Sequence, residues 1–335
     1  MTDPHFLSAR QAAGALGVTR ATLYAYTSRG RLRSEPVPGR SRERRYLRED
    51  VERLQERKEG RRDPAAIAAR GLHWGGPVLE SAITLIDRGR LFYRGQDAVT
   101  LAESADLETV AMLLWEATGT SREQLFEQPG ALTLRQWSRL RACVHDTFAL
   151  LQAALPVAAA SDPASYDLRP DAVRQTGARI VRLFTTAIAP RHARLPVHRA
   201  LQAAWAPRHA RAGEVIRITL ALCADHELNV SAFAARCAAS AGASPYDVVS
   251  AAMATLKGYK HGGSAERALA LLADADTPRH ARSLVANRLR RGEGLPGFGH
   301  PLYPAGDPRA AVLMRLAESS GNDATWRPVR NLCRA

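Results

Sequence analysis

Ala224-Asp225-His226-Glu227-Leu228-Asn229, Lys260-His261-Gly262-Gly263 and Gly297-Phe298-Gly299-His300 are the stretches that decide the fold. Each sets one histidine in a short break beside a helical pattern. Apolar residues recur at helical spacing up to Cys223, the first break follows, and Asn229 and Ser231 then offer caps to a helix holding Phe233 and Cys237. Ser244-Pro245-Tyr246-Asp247 combines a cap, a proline at the first helical position and an acid at the third. The helix it predicts carries Val248, Val249, Ala252, Met253 and Leu256 and stops at Gly258. His261 comes next, with Ser264 expected to cap the following helix. A histidine just ahead of a helix N-terminus feels the positive end of the dipole, so a neutral imidazole is expected there.

A neutral imidazole can donate a hydrogen bond to a thioester oxygen, the need of an enzyme that forms an enol from an acyl thioester. Gly262 and Gly263 let a substrate come close to the backbone. The third break, Gly294 to Pro304, reads as a rigid loop, after which Asp307-Pro308 opens another helix with Arg309 in its first turn. A guanidinium and backbone N–H groups there suit a carboxylate, and His300 is placed to polarise a keto carbonyl. Taken singly, each histidine fits equally well a turn between helices with no chemical role. The order of the three carries the weight.

Around these stretches the composition favours helix: alanine is abundant, aromatics make up 6% of the chain, and runs of Val, Ile and Thr are scarce. At 335 residues the chain can hold two or three domains. The 4 cysteines show no C-x-x-C pair, so neither a disulfide framework nor a metal site is expected, and a cytoplasmic location fits. No apolar leader is visible. The longest apolar run, Phe148 to Ala160, is too short to span a bilayer and is expected to break at Pro156. No short repeat is visible from Gly71 onward. Leu107 to Trp115 reads as helix, as do stretches near 134–154, 170–188, 196–204 and 213–223, and Ser81 to Gly95 reads as a hairpin with Gly89 in its turn.

Charge is uneven. Residues 1–70 hold 16 Lys/Arg against 9 Asp/Glu, half of the net +14 in a fifth of the chain. A basic end raises the question of nucleic acid, although a genome rich in Arg codons gives the same composition. Ser8 with Gln11 is a capping box, Ala12, Ala13 and Leu16 form an apolar face, and Gly17 stops the helix. Thr19 caps a second helix in which Leu23 and Tyr24 face inward, and Gly30 ends it. Pro36, Pro38 and Gly39 turn the chain into a basic run through Arg40, Arg42, Arg44 and Arg45, and a third helix begins near Glu49 with Val51 and Leu54. Lys58 to Asp63 reads as a linker.

Thr19 to Tyr24, with Arg44-Arg45-Tyr46 ahead of Asp50-Val51, resembles the small winged helix-turn-helix of the MerR and excisionase type. That resemblance implies DNA as a partner, with Arg20, Thr22 and Tyr26 toward the major groove and Arg42, Arg44 and Arg45 on phosphates. The joint order of the three histidine stretches, with Asp307-Pro308-Arg309 and the earlier Tyr93-Arg94-Gly95, resembles citrate synthase over roughly residues 72 to 320. It implies a mainly α, multihelical citrate synthase fold of a large and a small domain, preceded by the winged helix-turn-helix. The expected division is 1–60, a linker at 61–70, a large domain at about 71–235 and a small one at about 236–325. It also implies condensation of acetyl-CoA with oxaloacetate in a homodimer, with acetyl-CoA as substrate and no cofactor or metal. His226, His300 and Arg309 would hold oxaloacetate, His261 and His300 would be catalytic, and Gly262, Gly263, Leu295, Gly297 and Phe298 would lie near the coenzyme.

The pattern departs from the family in two places. The family takes the methyl proton with an aspartate well beyond the Gly-Phe-Gly-His loop, and nothing after Arg309 matches it. Asp323 stands in another context, and the tail from Trp326 resembles nothing in the family. The expectation is therefore a C-terminally truncated chain of little synthase activity. Lys260 stands where a small or apolar residue is usual; it either disturbs His261 or attracts coenzyme phosphates. A 2-methylcitrate synthase, and a DNA-binding regulator that senses metabolites through a catalytically dead body, are the alternative functions.

Overall fold

The computed structural model describes residues 6–28, 32–37, 40–48, 50–52, 54, 81–128, 130–226, 229–300, 302–319 and 323–335, in two compact units, Met1–Val78 and Leu79–Ala335. Gly30, Pro38, Gly39, Glu49 and the linker at 61–70, on which expectations were placed, lie outside the described residues, as do the side chains of Arg40 and Arg42.

In the first unit Ser8 caps the helix Ala9–Leu16 with a complete capping box, and Gly17 ends it at φ 58°. Thr19 Oγ1 accepts the Thr22 N–H at 3.2 Å at the head of the helix Arg20–Ser28. Strands β1 (Phe6–Ser8), β2 (Ser34–Val37) and β3 (Arg40–Leu47) form an antiparallel sheet in the order β1-β3-β2. Leu7, Ala12, Leu16, Leu23, Tyr46 and Val51 build the core, and Tyr26 and Leu54 pack at its edge. Tyr24, expected inside beside Leu23, is exposed. Successive helical residues point about 100° apart, and Leu23 takes the inward position.

The second unit opens with a ribbon of β4 (Thr84–Asp87), β5 (Arg90–Tyr93) and β6 (Gln96–Asp97). Asp87 pairs with Arg90, so the turn is Arg88-Gly89, at φ 49° and 74°. Tyr93 pairs with Gln96 across Arg94-Gly95, at φ 48° and 82°. Two left-handed residues in a two-residue loop match the twist of the strands, which is why each loop ends in glycine. The first hairpin is the one expected from Gly89; the second repeats the device.

Among the described residues, three of the four apolar clusters of this unit position the helices that carry the histidine breaks. Leu91, Tyr93 and Val110 meet Ile218 and Leu222 of the helix Ala212–Leu222, and Val312, Leu313 and Leu316 of the helix Pro308–Ser319 pack on them. The helices Thr147–Ser161, Pro170–Ile188 and Pro245–Leu256 join around Leu155, Leu183, Tyr246 and Met253. Leu271, Ala281 and Leu332 bring together Ser264–Ala273, Pro278–Arg290 and Asp323–Cys333.

The expected helix at 134–154 is two, Leu134–Cys143 and Thr147–Ser161, because Asp146 takes the Ala149 N–H at 2.7 Å and starts a new helix. The second runs through Pro156 without breaking. Proline there removes one N–H from the ladder and crowds the carbonyl one turn back, a cost that packing of the flanking apolar residues in the core offsets. A short repeat also exists after Gly71: Pro-Arg-His-Ala-Arg stands at 190–194, 207–211 and 278–282. Among the described residues no helix is long and apolar enough to cross a membrane.

Candidate active site

Tyr93 couples the ribbon to the first histidine break. It is fully buried, and its hydroxyl donates to the Leu222 carbonyl at 2.8 Å and lies 3.0 Å from that of Asp225. Thr84 Oγ1 donates to the Asp225 carboxylate. Strand, helix end and loop are thereby pinned, which fixes where His226 leaves the helix Ala212–Leu222. The helix Pro308–Ser319 packs on the same cluster and carries the third break with it.

His226 and His300 meet as a result. Their ring centroids lie 4.8 Å apart and edge to face at 86°. Tyr303, 3% exposed, closes the group: its hydroxyl is 3.1 Å from His226 Nε2, and its ring is 5.2 Å from that of His300. The Leu302 N–H donates to His300 Nδ1 at 3.2 Å, so the neutral ring carries its proton on Nε2. Arg309 forks onto Asp307 through Nε at 3.0 Å and Nη2 at 2.6 Å, with its guanidinium 5.6 Å from the Tyr303 ring centroid. The fork leaves Nη1 outside it.

Burial, then the nearby Arg309 and His300, push His226 down to about 4. Burial, then Arg309, lowers His300, and burial lowers His261. Burial works against the Asp307 carboxylate, but the Arg309 fork overcomes it and leaves its pKa below the usual value. The site at neutral pH is thus neutral imidazoles beside an internally paired arginine. The unfolded chain takes up a proton on such a histidine near pH 6.5, and the folded chain takes up the one on His226 only near 4. Stability should therefore fall as pH drops from about 6.5 toward 4. A series of melting temperatures across that range checks this, and His226→Gln should flatten the slope.

His261 is positioned separately. Its Nε2 lies 3.0 Å from Ser231 Oγ, whose own hydroxyl reaches Asn229 Oδ1 at 2.6 Å. Asn229 caps the helix Val230–Ser240 that follows His226, so the second break is tied to the first through a chain of three side chains. With the serine proton on Asn229, His261 Nε2 donates to Ser231. For Nδ1 to carry the proton toward a thioester oxygen, the hydroxyl must turn to face the ring.

Several expectations shift in detail. Gly263, not Ser264, is the cap of Ser264–Ala273, and the Ser264 N–H instead donates to the His261 carbonyl at 3.0 Å. A Cβ at Gly262 would stand 2.5 Å from the Leu256 carbonyl oxygen, so the turn itself requires that glycine, whatever approaches from outside. Leu295 packs on the third cluster, while Gly297 and Phe298 are exposed. Lys260 places its ammonium 5.8 Å from the Tyr259 ring centroid. Tyr303, Ser231 and Asp307 stand within a few residues of the quoted stretches, but only the folded chain shows that they contact the catalytic candidates or Arg309.

In the first unit Arg20 is exposed and Thr22 shares a hydrogen bond of 2.9 Å with Thr19. Tyr26, expected toward the groove, packs at the edge of the core because it falls one turn after the inward position of Leu23. Arg44 bonds Ser34 Oγ at 2.8 Å, and Arg45 holds Glu35 at 2.7 Å and covers the Phe6 ring at 4.1 Å. Those two side chains are engaged within the sheet. Arg42 has no described side chain.

Comparison with known proteins bears on both units. The family profile described as citrate synthase, C-terminal domain, matches residues 71–334, and that of a helix-turn-helix domain matches 6–59. The first match runs through the tail that the sequence reading left outside the resemblance. A 2-methylcitrate synthase of Shewanella oneidensis is 36% identical over 118 residues, which is 34% of this chain and 32% of that relative. That stretch spans about a third of the relative's length. A citrate synthase of Haloferax volcanii is 28% identical over 286 residues, 76% of this chain and 75% of that relative. The structure of citrate synthase from Thermoplasma acidophilum, in a ternary complex with carboxymethyl coenzyme A and oxaloacetate, has a TM-score of 0.63 at 23% identity, covering 77% of this chain and 75% of that one. At that identity the likeness speaks for the fold.

Proposed function

The chain belongs to the citrate synthase family, and on that premise we propose that its second unit condenses acetyl-CoA with oxaloacetate to give citrate and CoA. The observation that carries the reading is the edge-to-face pairing of His226 and His300 at 4.8 Å, with Tyr303 and Arg309 beside them. His300 Nε2–H donates to the keto oxygen of oxaloacetate, and Arg309 meets a carboxylate through Nη1 or by exchanging it for Asp307. His261 gives its proton to the thioester oxygen while solvent water, in place of a positioned base, takes the methyl proton, and the enol forms. The enol carbon then bonds to the keto carbon, and water cleaves the citryl thioester to release CoA. Of the described acids beside this cluster, Asp225 is held by Thr84 and Asp307 by Arg309. We therefore propose that oxaloacetate binds well and that removal of the methyl proton limits turnover.

The experiment is a melting curve with and without oxaloacetate, followed by steady-state rates with acetyl-CoA and propionyl-CoA. Oxaloacetate should raise the melting temperature, since a ligand that binds only the folded state stabilises it. Preference for propionyl-CoA would turn the reading into 2-methylcitrate synthase. No stabilisation and no turnover with either thioester would sink it. Pairing of two chains belongs to the same proposal, and sedimentation equilibrium tests it.

For the first unit we propose DNA binding through the exposed face of Arg20–Ser28, supported by the helix-turn-helix match. The affinity should fall linearly on a log–log salt plot, and Arg20→Ala should reduce the slope by about 1. Equal binding to every duplex, lost at modest salt, would indicate plain electrostatics.

A further inference from the structure

Glu108 and His198 lie 2% and 8% exposed, and Glu108 Oε2 and His198 Nδ1 have no hydrogen-bond partner among the described residues. Buried polar atoms are nearly always bonded, so two orphans together call for a ligand. Asp106 stands with them: one ligating atom from each of Asp106, Glu108 and His198 lies within 4.8 Å of the others. None of the three belongs to the histidine breaks. We propose that Asp106, Glu108 and His198 hold a divalent transition-metal ion, zinc fitting best.

The donor set supports this reading. One imidazole and two carboxylates suit zinc or manganese, with a water completing the coordination shell. Local structure already brings the donors together. Asp106 caps the helix Leu107–Leu114, Glu108 sits in its first turn, and His198 is the second residue of Val197–Trp205. Glu108 Oε1 accepts the Val197 N–H at 2.8 Å and so locks the two helix starts in register while Oε2 stays available.

The surrounding charges do not forbid a cation. Arg122 reaches Asp106 Oδ2 at 2.6 Å, but its side chain is 42% exposed and can turn to solvent as a metal displaces it. Arg182 directs its N–H groups at the carbonyls of Phe126, Ala193 and Leu195, and Arg217 reaches those of Ala102 and Ala105. The metal would staple two helices that are ninety residues apart in sequence, a separation that leaves no ligand spacing to read.

The full chain, stripped with a chelator, is loaded with zinc chloride and desalted. Bound zinc is measured by elemental analysis and stability by thermal melting. One zinc per chain and a rise of several degrees in melting temperature are expected. His198→Ala should lose the bound zinc and weaken zinc affinity at least tenfold. Glu108→Gln keeps a cap for Val197–Trp205 but not the anionic ligand, so it should lose zinc with an unchanged circular-dichroism spectrum. The exposed Asp276–His280 pair, 2.6 Å apart, is the control. If His280→Ala removes the zinc, or His198→Ala retains it, the ion is adventitious and the proposal fails. A wild-type chain that takes up no zinc overturns it too, and a shared water then becomes the partner of the two atoms.

Discussion

His300→Ala will lower the rate of condensation by about 10²–10³, the loss usual when one preorganised donor to a developing oxyanion is removed. The tautomer of His300 sets the size of this effect. Leu302 N–H occupies Nδ1, so the Nε2 proton points away from its own loop and is the hydrogen bond the keto oxygen would receive. The edge-on His226 ring, with its own pKa pushed down to about 4, stays uncharged beside it and does not compete as a cation. Removing the His300 ring also leaves Tyr303 and His226 without the face they pack on. Oxaloacetate affinity, measured by calorimetry, should therefore fall along with the rate. His261→Ala should act differently, abolishing turnover while leaving oxaloacetate affinity nearly intact, since its contacts run to Ser231. An alanine at 300 that leaves both rate and affinity unchanged would remove His300 from the mechanism.

Tyr93→Ala will destabilise the second unit by about 3–5 kcal/mol, the range for deleting a fully buried aromatic ring. Tyr93 is fully buried in the cluster that holds the ribbon, the helix Ala212–Leu222 and the helix Pro308–Ser319 together. Its hydroxyl serves the carbonyls of Leu222 and Asp225, just ahead of His226. Tyr93→Phe keeps the ring and deletes only that donor, so its cost should be about 1–3 kcal/mol, the penalty for a buried acceptor left unsatisfied. Urea titrations give both numbers, and an unchanged slope would show that the unfolding remains a single transition. The phenylalanine variant should also bind oxaloacetate less tightly while folded, because the Asp225-His226 segment loses a tether. If Tyr93→Ala were as stable as the parent, the ribbon would not be what positions the first histidine.

Local signals were easy to read wherever a residue solved a local problem. The capping box of Ser8 and Gln11, the cap at Ser244 with Pro245, and the Arg88-Gly89 turn all appear where short-range chemistry placed them. Errors arose where packing overrode local preference. Pro156 breaks a helix in isolation but not one held in a core on several sides. Tyr24 and Tyr26 exchanged sides because the inward stripe of the helix Arg20–Ser28 is set by Leu23 and the sheet beneath it. At the site, His226, His261 and His300 were visible as motifs. Their partners Tyr303, Ser231 and Asp307 looked like ordinary loop and cap residues until the breaks were brought together.

On its own the sequence determined the helical class and the N-terminal helix-turn-helix pattern, because these follow from caps and periodicity, and the order of its three histidine motifs carried the resemblance to the family. Tertiary structure alone decided which imidazoles meet, which tautomer His300 holds, and which arginine is already paired. Pro-Arg-His-Ala-Arg shows the reason: the same five residues begin with a 3₁₀ turn at 190, form hydrogen-bonded turns at 207 and start an α-helix at 278. A pentapeptide has too few internal contacts to select one backbone state, so the packing of distant helices makes the choice.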